Sequence, residues 1–586
     1  MSNDLTPFQA DPPRKPIATA QLVPQELLDR QGYEKGDFWF GRTLNGKPFG
    51  WYEDLNLLTC AGPRAGKGVG VVIPNLLLFP GSAVVIDPKG ELASETAVYR
   101  RDVLGQKVVV LDPAKVANVP PELRGTYNPL AQLDPNDIGV VSAALTIAQG
   151  IVVPNPKAKE PFWDDTALAF IQSIILYMLA FFPAEKRTLM KLRETSSVGD
   201  WDLYQAFLGH MRQGPDGDPN YEGNPAKAFD MLLSEMFASD AFGGALREEA
   251  AKISQMGDQT RGNVLGNVRT HLSFLKEPLL WNVLTDDPKN PNTLNLSDLR
   301  NQEKFTTVYL CLPVDMMHQQ GRWLRLVVMQ INQYIQRTPF NKRHDRPVLM
   351  MIDEFFQLGP LPSIENMLTY GPGFGLRLWL IVQDIVQLKK NYSESWETIL
   401  GACGIKQFFG INDLTTAKYL SELIGEQEID VHTVSLTENS SETQGSNENK
   451  TTGKVYTNST SSNRSSASGS SSGLSSDFSL AGKMGWNSAR TSSSTRGGAS
   501  SSSTSRNIST TTGANESKTQ GVSCGYSIVK QARRIFRPEE ALTAFTKQNL
   551  IQLLHVRDQG GMMLMRTPYY ADPDLLRLKG MVGSDD

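Results

Sequence analysis

The segment from Leu55 to Glu91, LNLLTCAGPRAGKGVGVVIPNLLLFPGSAVVIDPKGE, constrains the fold more than any other part of the chain. An apolar run at 55–60 is short enough to be a buried strand. A glycine-containing loop with a lysine follows at 61–68, and an apolar, helix-like segment resumes at 69–78. Strand, glycine loop, lysine and helix in this order predict a phosphate-binding loop (P-loop) in an α/β fold.

Each residue type in this loop has a physical role. Gly66 and Gly68 let the backbone approach a phosphate closely, and the helix that follows offers its positive end to the anion. Lys67 adds a mobile point charge for the β and γ oxygens of a nucleotide. The predicted nucleotide-binding residues are Gly62, Pro63, Arg64, Ala65, Gly66, Lys67, Gly68 and Val69.

The loop departs from the GxxxxGK[ST] pattern at two positions. Ala61 replaces the first glycine, and Gly68 stands where a hydroxyl residue would ligate Mg²⁺, so water or another residue must replace that ligand. The alternative interpretation of the octet is a tight glycine turn between a strand and a helix.

A second apolar strand, at 347–352, ends in two carboxylates, Asp353 and Glu354. Next to a phosphate loop, Asp353 would hold Mg²⁺ and Glu354 would orient and deprotonate the attacking water. Alone the pair is a weak signal, because many strands end in acids. Together with the loop at 62–68 it predicts an NTPase whose catalytic residues include Lys67, Asp353 and Glu354.

The strand predicted at 378–382 places a further polar side chain, Gln383, at the edge of the sheet. A glutamine there can sense the γ-phosphate or position the water, so Gln383 is a fourth candidate catalytic residue. The alternative is a polar cap after a strand.

Composition excludes several other classes of protein. A formal charge of −4 argues against a globally basic nucleic-acid binder. The four cysteines (Cys60, Cys311, Cys403 and Cys524) lie far apart without paired spacing, so we expect buried thiols and no zinc or disulfide frame. The longest apolar segment, 167–182, is shorter than the roughly 18 apolar residues of a spanning helix, which predicts a buried helix and no transmembrane segment.

The apolar pattern changes along the chain and suggests the domain organisation. Short Val/Ile-rich runs at 83–86 and 108–111 suit parallel strands, helical periodicity follows until about residue 300, and strands return at 307–312, 348–352, 378–382 and 405–411. The predicted parts are an N-terminal lead-in (1–36), a nucleotide-binding domain (37–135, 301–433 and 526–586), an inserted all-α domain (136–300) and a disordered Ser/Thr-rich insert (434–525).

At this point a family resemblance becomes specific. The chain resembles the coupling ATPases of type IV secretion and conjugation, which are relatives of the FtsK and HerA DNA pumps. The matching segments, in order from residue 62 to 425, are GPRAGKGVGVVIPNLL, VVIDPKGE, YNPL, FWDDTALAFIQSIILYML, VYLCLPVD, LMMIDEFFQLGPLPSIENML, LIVQDIVQL and DLTTAKYLSELIG, followed by RPEEAL near 537 and YYADP at 569–573. A GKG ending of the loop is usual in that family.

The resemblance implies a RecA-like domain with an all-α insertion, ATP and Mg²⁺ as cofactors, and an active homohexamer. It implies that the chain recruits a DNA–relaxase complex or a secreted protein substrate to a type IV channel. Single- or double-stranded DNA and the inner-membrane components of the secretion system are the implied partners. The implied location is the cytoplasm or the cytoplasmic face of the bacterial inner membrane.

One departure from the family pattern concerns the arginine that completes a neighbouring subunit's site. Pro372 stands where that arginine is expected, and Arg377, Arg325 and Arg322 are the candidate replacements. This departure supports an alternative function, a substrate-docking adaptor of the same fold with little or no ATP turnover.

Overall fold

A computed structural model describes residues 20, 22–153, 161–213, 218–285, 290, 292–359, 361, 364–444, 502–512 and 516–580. The chain divides into two compact units. The larger unit contains Leu22–Leu420 and Arg537–Asp586, and the smaller unit contains Met1–Gln21 and Ser421–Phe536.

Strands of the larger unit form one sheet, and three long strands form the sheet of the smaller unit. In chain order the strands are β1 (Phe38–Thr43), β2 (Pro48–Trp51), β3 (Asn56–Ala61), β4 (Ala83–Ile86), β5 (Lys107–Leu111), β6 (Thr306–Leu310), β7 (Val348–Ile352), β8 (Leu376–Val382), β9 (Cys403–Phe409), β10 (Glu426–Gln444), β11 (Ser502–Thr512), β12 (Glu516–Arg534), β13 (Ile551–Val556) and β14 (Gly560–Met565). The predicted strands of the α/β part all recur, with ends that shift by one or two residues.

The sheet of the larger unit has eleven strands in the order β2-β1-β14-β13-β9-β3-β8-β7-β4-β6-β5. The seven strands from β9 to β5 pair in parallel, whereas β13, β14, β1 and β2 add an antiparallel edge. Every residue of β3, β4, β6, β7, β8 and β9 is buried. Burial on both faces explains why these strands occur in the sequence as continuous apolar runs.

Helices cover this sheet and form most of the chain between β5 and β6. They are α1 (Gln25–Gln31), α2 (Ile73–Leu78), α3 (Glu91–Asp102), α4 (Val140–Ile151), α5 (Phe162–Phe181), α6 (Leu189–Val198), α7 (Trp201–Gln213), α8 (Lys227–Ala238), α9 (Ala245–Ser254), α10 (Asp258–His271), α11 (Pro278–Trp281), α12 (Val314–Arg337), α13 (Ile364–Tyr370), α14 (Ile385–Asn391), α15 (Trp396–Ala402), α16 (Leu414–Ile424), α17 (Pro538–Ala544) and α18 (Pro573–Gly580). From α4 to α11 the described residues contain helices and no strand, as the helical periodicity predicts.

Helix α5 is central to this all-α part. Among the described residues it is the one helix whose length and composition would let it cross a membrane, and 61% of its most apolar window is buried inside the protein. The Tyr177 hydroxyl of α5 donates a hydrogen bond to Asp200 Oδ2 at 2.8 Å. These contacts agree with the prediction of a buried helix.

The N-terminal hairpin of β1 and β2 is tied to the helix after the phosphate loop by one buried side chain, Asn75. Its Oδ1 accepts from the Trp39 N–H at 2.8 Å, and its Nδ2 donates to the carbonyls of Trp39 and Val71 at 2.9 and 2.8 Å. Asn75 is only 1% exposed, so water cannot take the place of its side chain as the hydrogen-bond partner of these backbone groups. The hairpin therefore holds α2, and with it the loop that precedes α2.

The smaller unit contains the described parts of the segment predicted as a disordered insert, 434–525, and these parts form strands. Its described residues form a three-stranded antiparallel sheet in the order β10-β12-β11, with Glu426 opposite Arg534 and Gln444 opposite Glu516. Composition alone failed here because threonine favours strands, and backbone ladders form without an apolar side-chain pattern. Residues 445–501 and 513–515 lie outside the described residues.

Candidate active site

The loop between β3 and α2 adopts the backbone conformation that its glycines permit. Gly66 has φ = 83°, a left-handed value, and Arg64 has φ = 57°. The Gly62 N–H donates to the Gly410 carbonyl at 3.2 Å, and a Cβ on Gly62 would lie 2.3 Å from that oxygen. Gly68–Val72 then forms a π-helical turn that leads into α2, so the unpaired N–H groups of a helix start face the loop.

The two predicted carboxylates follow β7 at the same edge of the sheet. Lys67 Nζ lies 2.7 Å from Glu354 Oε1 and 3.7 Å from Asp353 Oδ1. Although 286 residues separate Lys67 from Asp353 in sequence (353 − 67), parallel strands bring their carboxyl ends to one edge. The structure therefore brings together the lysine and both acids that the sequence analysis identified.

Glu354 has an unusual backbone conformation, with φ = 51° and ψ = 47°. A left-handed conformation is costly for a residue with a long side chain, on the order of 1 kcal/mol. In this structure both carboxylate oxygens of Glu354 have partners, because Gln383 Nε2 donates to Oε2 at 2.9 Å. The turn thus places the Glu354 carboxylate between the lysine of one strand end and the glutamine of another.

Gln383 directly follows β8, as predicted, and its side-chain amide faces Glu354. The next residue, Asp384, is the N-terminal cap of α14, and its side chain accepts from the Gln387 N–H at 2.8 Å. Asp384, and not Gln383, therefore caps α14.

Burial controls the electrostatics at the acidic edge. It raises the pKa of Asp353, and the nearby charge of Lys67 opposes this rise. Asp87, which follows β4, is 1% exposed, and its carboxylate accepts from the Ala93 N–H at 2.8 Å. Burial raises the pKa of Asp87 to about 7, and the charge of Asp353 adds to this rise.

The sequence analysis missed two charged residues near this edge. Asp87 lies in the quoted segment VVIDPKGE, and its place after an apolar strand could have identified it. Arg566 follows β14, and its Nη1 donates to the Ala65 carbonyl of the phosphate loop. No sequence signal indicates this contact, because it joins residues 501 positions apart.

The residues fit a magnesium ion that is bound mainly by a nucleotide. The described part of the chain contains no group of three or more His, Cys, Asp or Glu that could hold a metal ion. Mg²⁺ in phosphate-transfer sites is usually held by one or two carboxylates, phosphate oxygens and waters. The Asp353 side chain is 17% exposed beside Lys67, so it can supply such a carboxylate, whereas Gly68 supplies no hydroxyl.

The three arginines considered for a neighbouring subunit's site all make contacts within the larger unit. Arg322 Nη1 donates to the carbonyls of Thr270 and His271 at 3.1 and 2.7 Å. Arg325 Nη2 donates to the Gln149 carbonyl at 3.4 Å. Arg377 donates to Asp54 and to the Pro372 carbonyl.

Three of the four cysteines that were predicted to be buried have a described environment. Cys60, Cys311 and Cys403 are free and buried, and burial raises the pKa of each thiol. These thiols are therefore structural side chains of the strands and their ends.

The parallel sheet, the glycine loop and the acids at its edge define a RecA-like P-loop α/β fold with an all-α part. Residues 17–456 match the model of the family described as type IV secretory system conjugative DNA transfer. This match covers more than half of the chain, and the chain belongs to that family.

Curated relatives and a solved structure are similar to the chain. The conjugal transfer protein TraG of Escherichia coli is 27% identical over 393 residues, which are 63% of this chain and 55% of TraG. Protein VirD4 of Agrobacterium fabrum (strain C58 / ATCC 33970) is 29% identical over 411 residues, 68% of this chain and 54% of VirD4. The chain thus spans about half the length of these relatives.

The unbound monoclinic form of the bacterial conjugative coupling protein TrwBdeltaN70 has the same fold. It superposes with a TM-score of 0.56 over 96% of this chain and 97% of that protein, at 16% sequence identity.

Proposed function

We propose that this chain is an ATP-hydrolysing coupling protein of a type IV secretion or conjugation system. The convergence of Lys67, Asp353, Glu354 and Gln383 at one sheet edge is the observation that carries this proposal. A lysine, two acids and a polar sensor around a glycine loop are the groups that phosphoryl transfer from a nucleotide requires.

Each residue has a distinct part in the proposed reaction. The N–H groups of residues 66–69 and the Lys67 ammonium bind the phosphates, and Asp353 holds Mg²⁺. When bound, Mg²⁺ supplies positive charge that offsets the charge of the phosphates. Glu354 accepts the proton of the attacking water, and Gln383 contacts the γ-phosphate or the water.

The Lys67–Glu354 ion pair suggests how the site responds to ATP. In this structure the Lys67 ammonium lies 2.7 Å from the Glu354 carboxylate, which would act as the base. Phosphate oxygens would compete for this ammonium, and Glu354 would then be free to accept a proton from water. Nucleotide binding and activation of the base are therefore coupled through one lysine.

The proposed cargo and partners follow from the family. The chain would recruit a DNA–relaxase complex or a secreted protein to the channel, contact single- or double-stranded DNA and inner-membrane components, and act as a homohexamer. It would work in the cytoplasm or at the cytoplasmic face of the inner membrane. Membership of the conjugative DNA transfer family and similarity to TraG and VirD4 support these proposals.

The adaptor with little or no turnover remains a second candidate function. Two observations favour it: Gly68 offers Mg²⁺ no hydroxyl, and the arginines 322, 325 and 377 are bonded to groups of the same unit. A site that lacks an arginine from its neighbour could bind nucleotide and turn it over slowly.

Phosphate release from Mg²⁺-ATP, measured against protein concentration with and without single- and double-stranded DNA, separates these functions. Cooperative, DNA-stimulated turnover is expected for the motor. Lys67→Ala should reduce kcat at least a hundredfold, and Glu354→Gln should do the same while it preserves ATP binding. The matched control is Lys252→Ala, which removes an exposed lysine that pairs with Glu249 at 3.5 Å.

Two results would decide against the motor. ATP binding without turnover, with DNA and membrane partners present, would select the adaptor. Wild-type turnover by Lys67→Ala would overturn the assignment of this edge as an ATPase site.

A further inference from the structure

Arg566 is a buried cation that contacts the phosphate loop. In the order of strands, β14 and β7 lie on opposite sides of β3, so Arg566 and the two acids approach the loop from different sides. It follows β14 and is 4% exposed, and its backbone N–H donates to the Leu550 carbonyl at 2.7 Å. Its Nη1 donates to the Ala65 carbonyl, and a Cβ on Gly66 would lie 3.7 Å from the same nitrogen. The guanidinium therefore lies beside the turn that precedes Lys67.

An aromatic ring fixes the plane of this guanidinium. The Arg566 Cζ lies 4.2 Å from the centroid of the Phe409 ring. Phe409 ends β9 and pairs with Ala61, the last residue of β3, so the ring is anchored at the strand that leads into the phosphate loop. Backbone, carbonyl and ring contacts hold Arg566 in one place before any ligand binds.

Two of the three nitrogens of this guanidinium lack partners. Among the described residues, Nε and Nη2 of Arg566 are buried and make no hydrogen bond. Burial lowers the pKa of Arg566 to about 10, and no carboxylate of the described residues counters this effect. Each buried donor without a partner costs about 1–3 kcal/mol, and an uncompensated charge costs more.

Other arginines of the larger unit differ from Arg566 in their contacts. Arg300 also has two buried nitrogens without hydrogen bonds, Nε and Nη1, but its Nη2 donates to the carbonyls of Ile335 and Phe374 and not to the phosphate loop. Arg100 is fully buried, and all three of its nitrogens donate to oxygens, among them Thr307 Oγ1 at 2.7 Å and the Gly81 carbonyl at 3.0 Å. Arg42 of β1 pairs with Asp572 at 2.7 Å and with Asp574 at 2.7 Å. Arg566 has neither a full set of carbonyls nor an acid, and unlike Arg300 it contacts the phosphate loop, so an anion bound at that loop would complete its contacts.

The free nitrogens indicate the chemistry of that anion. The N–H bonds of Nε and Nη2 lie on one edge of the guanidinium and point the same way. This fork matches two oxygens of a phosphate, and bidentate pairs of this kind are among the strong charge-assisted hydrogen bonds. The nearest structure that binds phosphate is the loop that Arg566 already contacts through Ala65.

We propose that Arg566 is a nucleotide-binding residue that donates from Nε and Nη2 to the polyphosphate, on the β9 side of the phosphate loop. This inference rests on the proposed nucleotide site and extends it to the C-terminal part of the chain. The bound polyphosphate would supply the charge and the acceptors that the buried guanidinium lacks. Because Nε and Nη2 are buried in this structure, nucleotide binding would have to move the atoms that cover them.

Arg566→Met is the decisive variant, because methionine keeps most of the apolar volume and removes the charge. We expect Kd for Mg²⁺-ADP and for inorganic tripolyphosphate, measured by calorimetry, to rise ten- to hundredfold. The nucleotide-free variant should melt at the same temperature as wild type or higher, since an unpaired buried charge is replaced by an apolar side chain. Arg566→Lys should weaken binding less, because it keeps the charge and loses the fork.

Arg42→Met is the matched control, since it removes an arginine from the neighbouring strand but leaves the buried Asp572 unpaired. It should lower the melting temperature of the nucleotide-free protein and leave Kd for Mg²⁺-ADP unchanged. A structural role for Arg566 would give this same pattern in Arg566→Met and would overturn the inference.

Unchanged binding of both probes by Arg566→Met would also overturn it. Weakened binding of Mg²⁺-ADP with unchanged binding of tripolyphosphate would assign Arg566 to the nucleoside and contradict the phosphate fork. Wild-type protein that binds neither probe would instead refute the proposed nucleotide site itself.

Discussion

Replacing Lys67 with methionine removes the cation that faces Glu354 and leaves a carboxylate with little access to water. The two side chains are 13% and 11% exposed, and their charged atoms are 2.7 Å apart. Glu354→Gln makes the reverse change and leaves Lys67 facing a neutral amide. The double variant, Lys67→Met with Glu354→Gln, removes both charges of this pair, and only Asp353, 3.7 Å from Lys67 in the wild type, still loses a cation.

The geometry sets the size of these effects. At an effective dielectric constant of about 20, the attraction across the 2.7 Å contact is about 6 kcal/mol, of which desolvation of the two ions offsets a large part. Breaking a fully buried pair costs about 3–5 kcal/mol, so with slight exposure we expect each single variant to lose about 2–4 kcal/mol. The double variant should lose about 1–2 kcal/mol, so the sum of the two single losses exceeds the double loss by a coupling energy of about 3–6 kcal/mol.

Urea unfolding of wild type, the two single variants and the double variant measures this coupling. All four proteins are compared without nucleotide at pH 7.5 and low salt, and an Arg261→Ala variant, whose partner Asp258 is 97% exposed, serves as the surface control, with an expected change of less than about 0.5 kcal/mol. Losses that simply add, with a coupling energy below about 0.5 kcal/mol, would refute the view that the ion pair holds the base in the nucleotide-free site.

Three further predictions concern the larger unit. Burial lowers the pKa of His555 to about 4, below the value of about 6.5 in the unfolded chain, so the contribution of His555 to stability should fall by up to about 2 kcal/mol from pH 7 to pH 5. Asp87, with its pKa raised to about 7, changes stability in the opposite direction over this range, so the difference between urea unfolding of wild type and of His555→Gln at the two pH values measures the His555 contribution. A Cβ on Gly150 would lie 2.9 Å from the Leu326 Cα, so Gly150→Ala should destabilise the protein by about 1–3 kcal/mol, measured by urea unfolding. A Cβ on Gly266 would meet open space, so Gly266→Ala should stabilise the protein by about 0.5–1 kcal/mol. Asn75→Ala leaves the backbone groups of Trp39 and Val71 without their partner and should lower the free energy of unfolding by about 2–4 kcal/mol. A decrease of less than about 1 kcal/mol would contradict that role.

The central strands were predictable because burial on both faces leaves a local signature. The runs at 83–86 and 348–352 coincide with β4 and β7, and the other parallel strands shift by one or two residues at their ends. A short, continuous Val/Ile-rich run has few alternatives in a chain of mixed helices and strands. The loop with Lys67 was predictable for a similar reason, since glycines and lysine occur between a strand and a helix.

Strand order and the smaller unit were not predictable in this way. The hairpin of β1 and β2 precedes β3 in sequence, yet it joins the sheet through β14, with Arg42 opposite Met565. Pairing of edges that lie hundreds of residues apart leaves no periodic pattern. The strands β10, β11 and β12 run through Ser/Thr-rich sequence, where backbone hydrogen bonds replace the apolar alternation by which strands are normally identified.

The sequence by itself determined which residues could meet a nucleotide: a glycine loop with Lys67, and two acids and a glutamine at the ends of apolar strands. Only the tertiary structure decided how they meet, because distances such as the 2.7 Å between Lys67 and Glu354 depend on strand order and on the left-handed turn at Glu354. The same holds for Arg566, whose place beside Ala65 follows from the position of β14 in the sheet. Local patterns encode the elements, whereas contacts between distant elements arise only when the sheet is assembled.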